Sequence, residues 1–371
     1  MTRPDIASAK RIVVKIGSSS LSSRSGGLDV DRLRAFVAAI ADRQRDAEIV
    51  VVSSGAIATG LAPLGLAKRP TDLPTQQAAA AVGQGLLLSQ YTQAFAERDL
   101  VVAQVLLTVD DMSRRSQHAN AQRTFLRLLE FGTVPIVNEN DTVATAEIQF
   151  GDNDRLAALV AHVIRADALI LLSDVDGLYD GPPSEGASLI PEVQSGADLE
   201  AVRIGGVGTA GVGRGGMATK VDAARIATAA GIPVVLTNAE QARAALFGEP
   251  VGTYFHPASA RRSTRFLWLE YATSIRGRIV VDGGAVNALR KHGSSLLAAG
   301  ITGVEGEFSA GDPVDVCDEQ GTVMARGIVN FDAADLDGMC GRSTADLASA
   351  LGEEFGREVI HRDDLVLVKR G

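Results

Sequence analysis

Two glycine-rich segments, each with one lysine, lie far apart in this chain. The first is VVKIGSSS at 13–20 with Lys15, and the second is GRGGMATK at 213–220, which ends at Lys220. Small residues let backbone N–H groups approach phosphate oxygens, and a nearby ammonium group balances the charge that spreads over a phosphoryl group in transfer. Either segment alone is weak evidence, but together they predict a phosphoryl-transfer site.

Lys220 lies about one turn into a helix that we predict to begin near Gly216. Its ammonium group and the N-terminus of that helix can therefore act on one anion. The Walker A pattern, Gly-x-x-x-x-Gly-Lys-Ser/Thr, does not occur in the chain. Two overlapping matches to the dinucleotide fingerprint, at 206–211 and 211–216, follow no convincing strand, which argues against a dinucleotide-dependent dehydrogenase.

Three further turns place polar side chains where strands are predicted to end. The turn SSGA at 53–56 can open a helix and present N–H groups to an anion. The turn NENDT at 138–142 has more hydrogen-bonding side chains than a turn requires, and these suit a ligand with an ammonium group. The turn SDVDGLY at 173–179 puts carboxylates where they can orient lysines, hold Mg²⁺ through water or contact nucleotide hydroxyls. Taken alone, the first and third also fit ordinary capped or acidic turns.

The segment GDND at 151–154 lies at the start of a predicted helix. Capping that helix needs only one of its Asp and Asn side chains, so we expect a functional role as well. None of the five histidines lies in these turns. A hydroxyl acceptor of a phosphoryl group usually needs a general base, whereas a carboxylate is already ionised at neutral pH. The lysines, N–H donors and carboxylates therefore predict a carboxylate acceptor.

The hydrophobic pattern of the first 240 residues predicts the scaffold that positions these turns. Short β-branched runs predict strands at 12–16, 49–52, 101–106, 134–137, 168–172 and 233–236. Helices are predicted between them at 31–43, 76–96, 114–131, 154–165 and 216–230. The alternation predicts an α/β fold, an open and mostly parallel sheet sandwiched by helices, with functional loops at the carboxyl ends of the strands.

The pattern changes at two places further along the chain. Residues 184–215 are rich in Gly, Ser and acidic residues, and we expect a flexible arm over the site. Beyond about residue 274, short β-like runs alternate with turns such as DGG at 282–284, which predicts a small, mainly β domain. We therefore predict a first domain at 1–260, a linker at 261–275 and a second domain at 276–371.

The composition sets limits on the class of protein. Of 371 residues, 46% are hydrophobic and 22% charged, as in ordinary globular proteins with a sizeable core. No apolar run is long enough for a membrane helix, and the start lacks the apolar stretch of a signal peptide, so we expect a cytoplasmic protein with no membrane partner. Cys317 and Cys340 are the only cysteines, which supports neither a disulfide framework nor a cysteine metal site, and we assign no residue as a metal ligand.

Taken together, five motifs of this chain resemble those of a known family. The resemblance is carried by VKIGS at 14–18, VSSGAIA at 52–58, VNEND at 137–141, GDND at 151–154 and GGMATK at 215–220. In order and spacing these motifs resemble the amino acid kinase family over residues 10–260, and in particular its members that act on L-glutamate. The tail resembles a PUA domain, with GITGVEGEFSAGDPV at 300–314 and RGIVN at 326–330.

The resemblance implies an activity and roles for single residues. The activity is ATP-dependent phosphorylation of the γ-carboxylate of L-glutamate with Mg²⁺, the first step of proline biosynthesis. Lys15 and Lys220 would stabilise the transferring phosphoryl group, and Asp154 would hold both lysines in place. The residues implied to bind glutamate are Ser54, Asp141 and Asn153. Those implied to contact ATP are Lys15, Ser173, Asp174, Arg214, Gly215, Gly216, Met217, Ala218, Thr219 and Lys220.

Three further expectations follow from the resemblance. Proline is expected as a feedback inhibitor, and the chain is expected to form a homodimer or homotetramer. The family often has a threonine where this chain has Arg214, so whether Arg214 contacts a phosphate stays open.

The charge of the tail bears on whether it binds RNA. From residue 276 onward, ten Lys and Arg residues face sixteen Asp and Glu residues, and the whole chain carries a net charge of −9. Affinity for a phosphate backbone comes chiefly from Lys and Arg, so we expect a structural or regulatory tail and do not expect RNA as a partner.

Two alternative functions stay open from the sequence. The first is another member of the same family, an acetylglutamate, aspartate or uridylate kinase, although the NENDT turn and the PUA-like tail count against each. The second is an RNA-binding protein that acts through the tail, which predicts a basic face that the composition does not offer.

Overall fold

The computed structural model describes most of the chain. The described residues are 3–23, 27–108, 111, 115–143, 153–182, 185–195, 216–258 and 275–368. The chain divides into two compact units, residues 1–262 and 263–371. The predicted linker at 261–275 lies almost wholly outside the described residues, and the predicted domain limits stay predictions. Within the described part, no helix is both long and apolar enough to cross a membrane.

The first unit is built on an eight-stranded sheet. Its strands are β1 (Arg11–Ile16), β2 (Glu48–Ser53), β3 (Val102–Leu107), β4 (Val134–Glu139), β5 (Ala168–Ser173), β8 (Glu192–Val193), β9 (Val234–Asn238) and β10 (Thr253–Phe255). Two short strands, β6 (Leu178–Tyr179) and β7 (Leu189–Ile190), form a separate ribbon. The strand order is β3-β4-β2-β1-β5-β9-β10-β8, and the first six strands in that order run parallel. The last two strands run the other way, because β10 pairs antiparallel with β9 and β8 pairs in parallel with β10.

Helices connect these strands. They are α1 (Pro4–Ala7), α2 (Ser18–Leu21), α3 (Val30–Gln44), α4 (Ala56–Leu61), α5 (Leu73–Ala96), α6 (Arg115–Glu130), α7 (Asn153–Val163), α8 (Met217–Ala229) and α9 (Ala242–Leu246). All six strands and five helices predicted for this part form, with ends that differ by a few residues. The prediction of an α/β fold with an open, mostly parallel sheet is confirmed.

The two faces of the sheet are covered by different helices. Successive strand side chains point to opposite faces. On β1, Ile12, Val14 and Ile16 belong to a core that also contains buried side chains of α3, α5 and α9. Helices α7 and α8 pack against each other, α7 contacts β1 and β5, and α8 contacts β9. Val13 and Lys15, which alternate with that core set, therefore point to the face that α7 and α8 cover.

The order of the strands places a switch point at β1. The chain moves from β1 to β2 on one side, and later returns to place β5 on the other side of β1. In open parallel sheets, ligands bind outside the carboxyl ends of the strands at such a point. Two backbone hydrogen bonds tie the strand ends together there: Ser54 N donates to Ile16 O at 3.1 Å, and Gly17 N donates to Leu172 O at 3.2 Å. The turns predicted to be functional follow these strands.

The second unit has a five-stranded sheet. Its strands, in the order β12-β11-β13-β14-β15, are β11 (Gly277–Val281), β12 (Ile301–Gly306), β13 (Pro313–Asp318), β14 (Val323–Ile328) and β15 (Leu365–Leu367). Three helices accompany them: α10 (Gly283–His292), α11 (Ala333–Asp337) and α12 (Thr344–Leu351). The predicted turn at 282–284 opens α10, because Asp282 caps it by accepting a hydrogen bond from Ala285 N at 2.7 Å.

The predicted arm over the site can be described only in part. Most of residues 184–215, with both dinucleotide-like matches, lies outside the described residues. Its described part, 185–195, contains β7 and β8, and β8 pairs in parallel with β10 at the far edge of the sheet.

Candidate active site

Lys15, Asp154 and Lys220 meet in a buried cluster. Lys15 Nζ lies 2.5 Å from Asp154 Oδ1, and Lys220 Nζ lies 3.2 Å from Asp154 Oδ2. All three side chains are buried, with Asp154 only 1% exposed. One carboxylate therefore holds two ammonium groups, one on each of its oxygens.

The fold explains why these three side chains meet. Lys15 lies near the carboxyl end of β1 and points to the face that α7 and α8 cover. Asp154 lies in the first turn of α7, where the positive end of the helix dipole favours a carboxylate. Lys220 lies in the first turn of α8, which packs against α7. The charged cluster thus occupies the point where one strand end and two helix starts converge.

The charges of the cluster leave it attractive to an anion. Burial alone would raise the pKa of Asp154, but the Lys15 and Lys220 ammonium groups outweigh it and lower that pKa to about 2. Asp154 is therefore ionised at neutral pH. Two ammonium groups beside one carboxylate leave a net positive charge in a place with little water to screen it. An incoming phosphate or carboxylate oxygen would be stabilised there.

The N-terminus of α8 adds hydrogen-bond donors to this positive region. Its N-cap is Gly216, which has no side chain to occupy the N–H groups of the first turn. Thr219 Oγ1 lies 3.1 Å from Asp154 Oδ2 and 2.9 Å from Gly216 O, so it joins the helix start to the charged cluster. The remaining first-turn N–H groups can point at an anion.

Gly17 lies close to the ammonium group of Lys15. It follows β1 directly, and a Cβ atom at this position would lie 3.8 Å from Lys15 Nζ and 3.7 Å from Leu172 O. Both distances are ordinary van der Waals contacts, so a methyl group would fit at residue 17 and the space around it does not by itself require glycine.

A chain of side-chain amides forms the other half of the site. Asn153 Nδ2 donates to Ser54 Oγ at 2.8 Å and to Asn138 Oδ1 at 2.9 Å. Asn138 Nδ2 donates in turn to Gln84 Oε1 at 2.7 Å. Asn153 and Asn138 are buried, and Gln84 is half-buried on α5. The turn after β2, the end of β4, the start of α7 and the middle of α5 are thereby joined.

These amide hydrogen bonds use the Nδ2 atom of Asn153 and not its Oδ1 atom. Asn153 Oδ1 is buried and has no hydrogen-bond partner among the described residues. An orphaned buried acceptor costs free energy unless a ligand satisfies it. Because Asn153 precedes Asp154, the unpartnered oxygen lies close in the chain to the charged cluster. It provides an acceptor for a donor group such as an ammonium.

Helix α5 supports the turn that carries Ser54. The hydroxyl groups of Tyr91 and Ser53 lie 2.9 Å apart, and Tyr91 is completely buried. Gly55 has φ +113°, which favours glycine, and α4 begins directly after it. A Cβ atom on Gly83 of α5 would overlap the backbone of α4 at Ala56 and Gly60, so the two helices approach closely.

The remaining predicted residues lie at two strand ends. Ser173 ends β5 and is buried, and its hydroxyl group donates to Asp174 Oδ1 at 2.9 Å. Asp174 is exposed. Asp141 is half-buried in the turn after β4, where the neighbouring Asn140 N donates to Leu107 O at 2.9 Å. Arg214 and Gly215 lie outside the described residues, whereas Gly216, Met217 and Ala218 form the start of α8.

The structure adds two residues that the sequence did not single out, Gln84 and Tyr91, which contact the site region from α5. Thr219, which the motif resemblance implied as an ATP contact, also contacts Asp154 directly. The signal for Gln84 and Tyr91 is the pair of glycines, Gly83 and Gly85, inside a long helix, since interior glycines are costly. Of the two, Gly83 has a packing reason and Gly85 has none within 4 Å.

Comparison with known proteins shows the family of this chain. Residues 10–238 match the model of the amino acid kinase family, and residues 277–351 match that of the PUA domain. The chain belongs to the amino acid kinase family, as the motifs indicated. Within that family, full-length relatives of this chain carry the name of one enzyme.

Two curated relatives share the name "Glutamate 5-kinase". The protein from Thermobifida fusca (strain YX) is 58% identical over 373 residues, which is 100% of this chain and 96% of the relative. The protein from Streptomyces coelicolor is 60% identical over 368 residues, or 99% of this chain and 98% of the relative. Among solved structures, a carbamate kinase from Giardia lamblia is 17% identical with a TM-score of 0.49 over 68% of this chain and all of that one.

Proposed function

We propose that this protein transfers the γ-phosphoryl group of ATP to the γ-carboxylate of L-glutamate, forming γ-glutamyl phosphate and ADP. The observation that carries the proposal is the buried cluster in which Asp154 holds Lys15 and Lys220 at 2.5 and 3.2 Å. The full-length relatives named Glutamate 5-kinase support glutamate as the acceptor.

The two lysines serve the transition state in this proposal. Negative charge spreads over the oxygens of the phosphoryl group as it moves from ADP to the acceptor. Lys15 Nζ and Lys220 Nζ approach the same carboxylate, so both can face one phosphoryl group placed beside it. Because their positions are fixed before the substrate arrives, little reorganisation is needed during the reaction.

Asp154 acts as a positioning group and not as a base. The low pKa of its carboxyl group makes it a poor proton acceptor at neutral pH. The γ-carboxylate of glutamate carries no proton at that pH, so attack on phosphorus needs none removed. A γ-carboxylate oxygen forms the new P–O bond, and the bond between the γ-phosphorus and the bridging oxygen of ATP breaks, with the electron pair leaving on ADP.

The amide cluster is proposed to bind glutamate. The unpartnered Asn153 Oδ1 is an acceptor suited to the α-ammonium group. Ser54 Oγ, held by Asn153 Nδ2 at 2.8 Å, supplies a hydroxyl group, and Asp141 supplies a carboxylate in the turn after β4. These three are the residues that the motif resemblance implied.

The nucleotide is proposed to lie on the side of β5 and α8. The first-turn N–H groups of α8, from Met217 to Thr219, are suited to phosphate oxygens, and Gly216 lets the ligand approach them. Ser173 ends β5 at the carboxyl edge of the sheet, and Asp174 follows it. Roles for Arg214 and Gly215 rest on the motif resemblance alone.

Mg²⁺ is proposed to enter with ATP. Among the described residues, no group of three or more His, Cys, Asp or Glu side chains could hold a metal ion. That fits Mg²⁺, which commonly binds substrate phosphates, waters and only one or two carboxylates. The exposed Asp174 is suited to such a contact through water. When bound, Mg²⁺ would neutralise charge on the β- and γ-phosphates.

The biological setting follows from the proposed reaction. γ-Glutamyl phosphate is the first intermediate of proline biosynthesis, so we propose that role, with proline as feedback inhibitor and the cytoplasm as location. A homodimer or homotetramer is proposed from the motif resemblance. The relatives favour glutamate over acetylglutamate, aspartate or UMP as acceptor.

The acidic tail is proposed to have a structural or regulatory role. Its excess of Asp and Glu over Lys and Arg opposes contact with a phosphate backbone. A filter-binding titration at low salt is expected to give no specific, salt-sensitive affinity for RNA. Such an affinity would overturn the proposal for the tail and leave the kinase proposal intact.

One assay tests the proposed reaction. Purified protein is incubated with ATP, Mg²⁺ and an acceptor, and hydroxylamine traps any acyl phosphate as a hydroxamate. We expect hydroxamate from L-glutamate, suppressed by proline, and none from aspartate or N-acetylglutamate; UMP-dependent ADP release is followed in parallel. Activity with another acceptor and none with L-glutamate would refute glutamate as the acceptor. Inactivity with all four acceptors would refute the kinase proposal.

A further inference from the structure

Gln84 lies on α5 and belongs to none of the motifs that define the site. Its Oε1 accepts a hydrogen bond from Asn138 Nδ2 at 2.7 Å, and among the described residues Asn153 is hydrogen-bonded to Asn138 and Ser54 and not to Gln84. Gln84 is half-buried, whereas the amides it leads to are buried. It therefore stands at the outer end of the amide chain.

The direction of that chain is set by which atom each amide presents. A side-chain amide has one accepting oxygen and one donating nitrogen. Because Gln84 offers its oxygen, Asn138 must turn its nitrogen to Gln84 and its oxygen to Asn153. Asn153 then gives its nitrogen to Asn138 and Ser54, which leaves Asn153 Oδ1 without a partner.

The reversed chain would present the opposite group. If Gln84 offered its nitrogen, Asn138 would turn its oxygen to Gln84 and its nitrogen to Asn153. Asn153 Oδ1 would then be consumed, and its NH₂ group would be the one left for the ligand. An NH₂ group cannot accept from an ammonium, so the direction of the chain decides whether the pocket is suited to a donor.

We propose that Gln84 is a positioning residue that selects for the α-ammonium group of the substrate through Asn138 and Asn153. This rests on the proposed function, since it takes Asn153 Oδ1 as the acceptor for that ammonium. Gln84 itself does not touch the substrate. Its contribution is to hold two buried amides in the one orientation that leaves an oxygen free.

The test compares two ligands that differ in the ammonium group. L-Glutamate is the substrate, and glutarate, which has the same two carboxylates and no ammonium, is used as a competitive inhibitor. The KM for glutamate, the inhibition constant of glutarate and kcat are measured for wild type and for Gln84→Met, Gln84→Glu and Gln93→Met. Gln93 is exposed on the same helix and serves as the control.

Gln84→Met keeps the side-chain length and removes the accepting oxygen. We expect the KM for glutamate to rise about tenfold, with the glutarate constant and kcat within about twofold of wild type. In Gln84→Glu, the ratio of the glutarate inhibition constant to the KM for glutamate should equal or exceed the wild-type ratio, because carboxylate oxygens only accept hydrogen bonds. Gln93→Met should change nothing.

Three results would overturn the proposal. An unchanged KM for glutamate in Gln84→Met would remove Gln84 from the site, and an equal rise of both constants would show only a structural role. If Gln84→Met does not fold, Gln84→Glu alone decides: a ratio of the glutarate inhibition constant to the KM for glutamate below the wild-type ratio refutes the proposal. Wild-type protein without glutamate-dependent activity would instead refute the proposed function, and this inference with it.

Discussion

Lys220 and Asp154 are 66 residues apart in the chain, yet the ammonium nitrogen of one lies 3.2 Å from a carboxylate oxygen of the other. The second oxygen of the same carboxylate is 2.5 Å from Lys15 Nζ. Two buried ammonium groups would repel each other without this shared counterion. Asp154 is therefore the group on which the geometry of both lysines depends, and the three residues should not respond alike to substitution.

Lys220→Ala is expected to lower activity strongly and leave the fold intact. Lys15 still neutralises Asp154 in this variant, so no buried charge is left without a partner. If the Lys220 charge acts on the moving phosphoryl group, kcat should fall about 10²- to 10³-fold with a smaller change in the KM for glutamate. Steady-state kinetics measure this. The control is Lys10→Ala, an exposed lysine just before β1 and at the opposite end of that strand from Lys15. Near-normal turnover in Lys220→Ala would exclude the role.

Asp154→Asn is expected to destabilise the protein as well as inactivate it. The substitution keeps the shape of the side chain and leaves Lys15 and Lys220 buried without their shared counterion. Breaking a buried ion pair in this way costs about 3 kcal/mol. Urea unfolding at pH 7, followed by far-UV circular dichroism, measures the loss. A stability equal to that of wild type would mean that the lysines do not need Asp154.

The same variant should show a defined dependence on pH. The folded pKa of Asp154, about 2, lies below the unfolded value of 3.8, so its contribution to stability is present above the unfolded value. It is lost as the pH falls through the folded value. As the pH falls from neutral, the difference in the free energy of unfolding between wild type and Asp154→Asn should narrow only below about pH 4. Narrowing already near neutral pH would contradict a lowered pKa.

Asp141→Ala separates the two substrates. Asp141 lies in the turn after β4, whereas the helix start that we propose for ATP is that of α8. We expect the KM for glutamate to rise about tenfold or more and the KM for ATP to change by less than about twofold. Asp46→Ala, an exposed carboxylate before β2, is the control. Equal effects on both constants would place Asp141 outside the glutamate pocket.

Much of the scaffold could be predicted from the sequence because it depends on local pattern. The β-branched runs before Gly17, Ser54, Asn138 and Ser173 are buried on both faces, which is what a continuous apolar strand indicates. Parallel strands bring their carboxyl ends to one edge, so residues at those ends could be expected to meet. The motifs then supplied the identity of the lysines and of Asp154.

The rest of the site depends on contacts that no local pattern encodes. The hydrogen bond from Asn138 to Gln84 joins a strand end to the middle of α5, and either residue alone fits many roles. Only the tertiary hydrogen bond shows that the two residues meet. The DGG segment after β11 is a different case: its composition fits a turn, but Asp282 caps the start of α10 through a local hydrogen bond from Ala285 N.

Two glycines on one helix test whether the close approach of α4 and α5 positions the site. A methyl group on Gly83 would overlap the Ala56 carbonyl oxygen and the Gly60 nitrogen, whereas a methyl group on Gly85 would meet nothing within 4 Å. Gly83→Ala should therefore cost about 1–3 kcal/mol by overpacking. Gly85→Ala should stabilise the helix by about 0.5–1 kcal/mol, because alanine is the better helix former.

The effect on the substrate distinguishes positioning from stability alone. Helix α4 begins directly after Ser54 and Gly55, so moving α4 away from α5 should displace the Ser54 hydroxyl group that Asn153 holds. We expect Gly83→Ala to raise the KM for glutamate more than the KM for ATP and Gly85→Ala to change neither. Urea midpoints and steady-state kinetics on both variants measure this. If Gly83→Ala lowers stability and leaves both KM values unchanged, the crossing of α4 and α5 supports the fold without positioning Ser54.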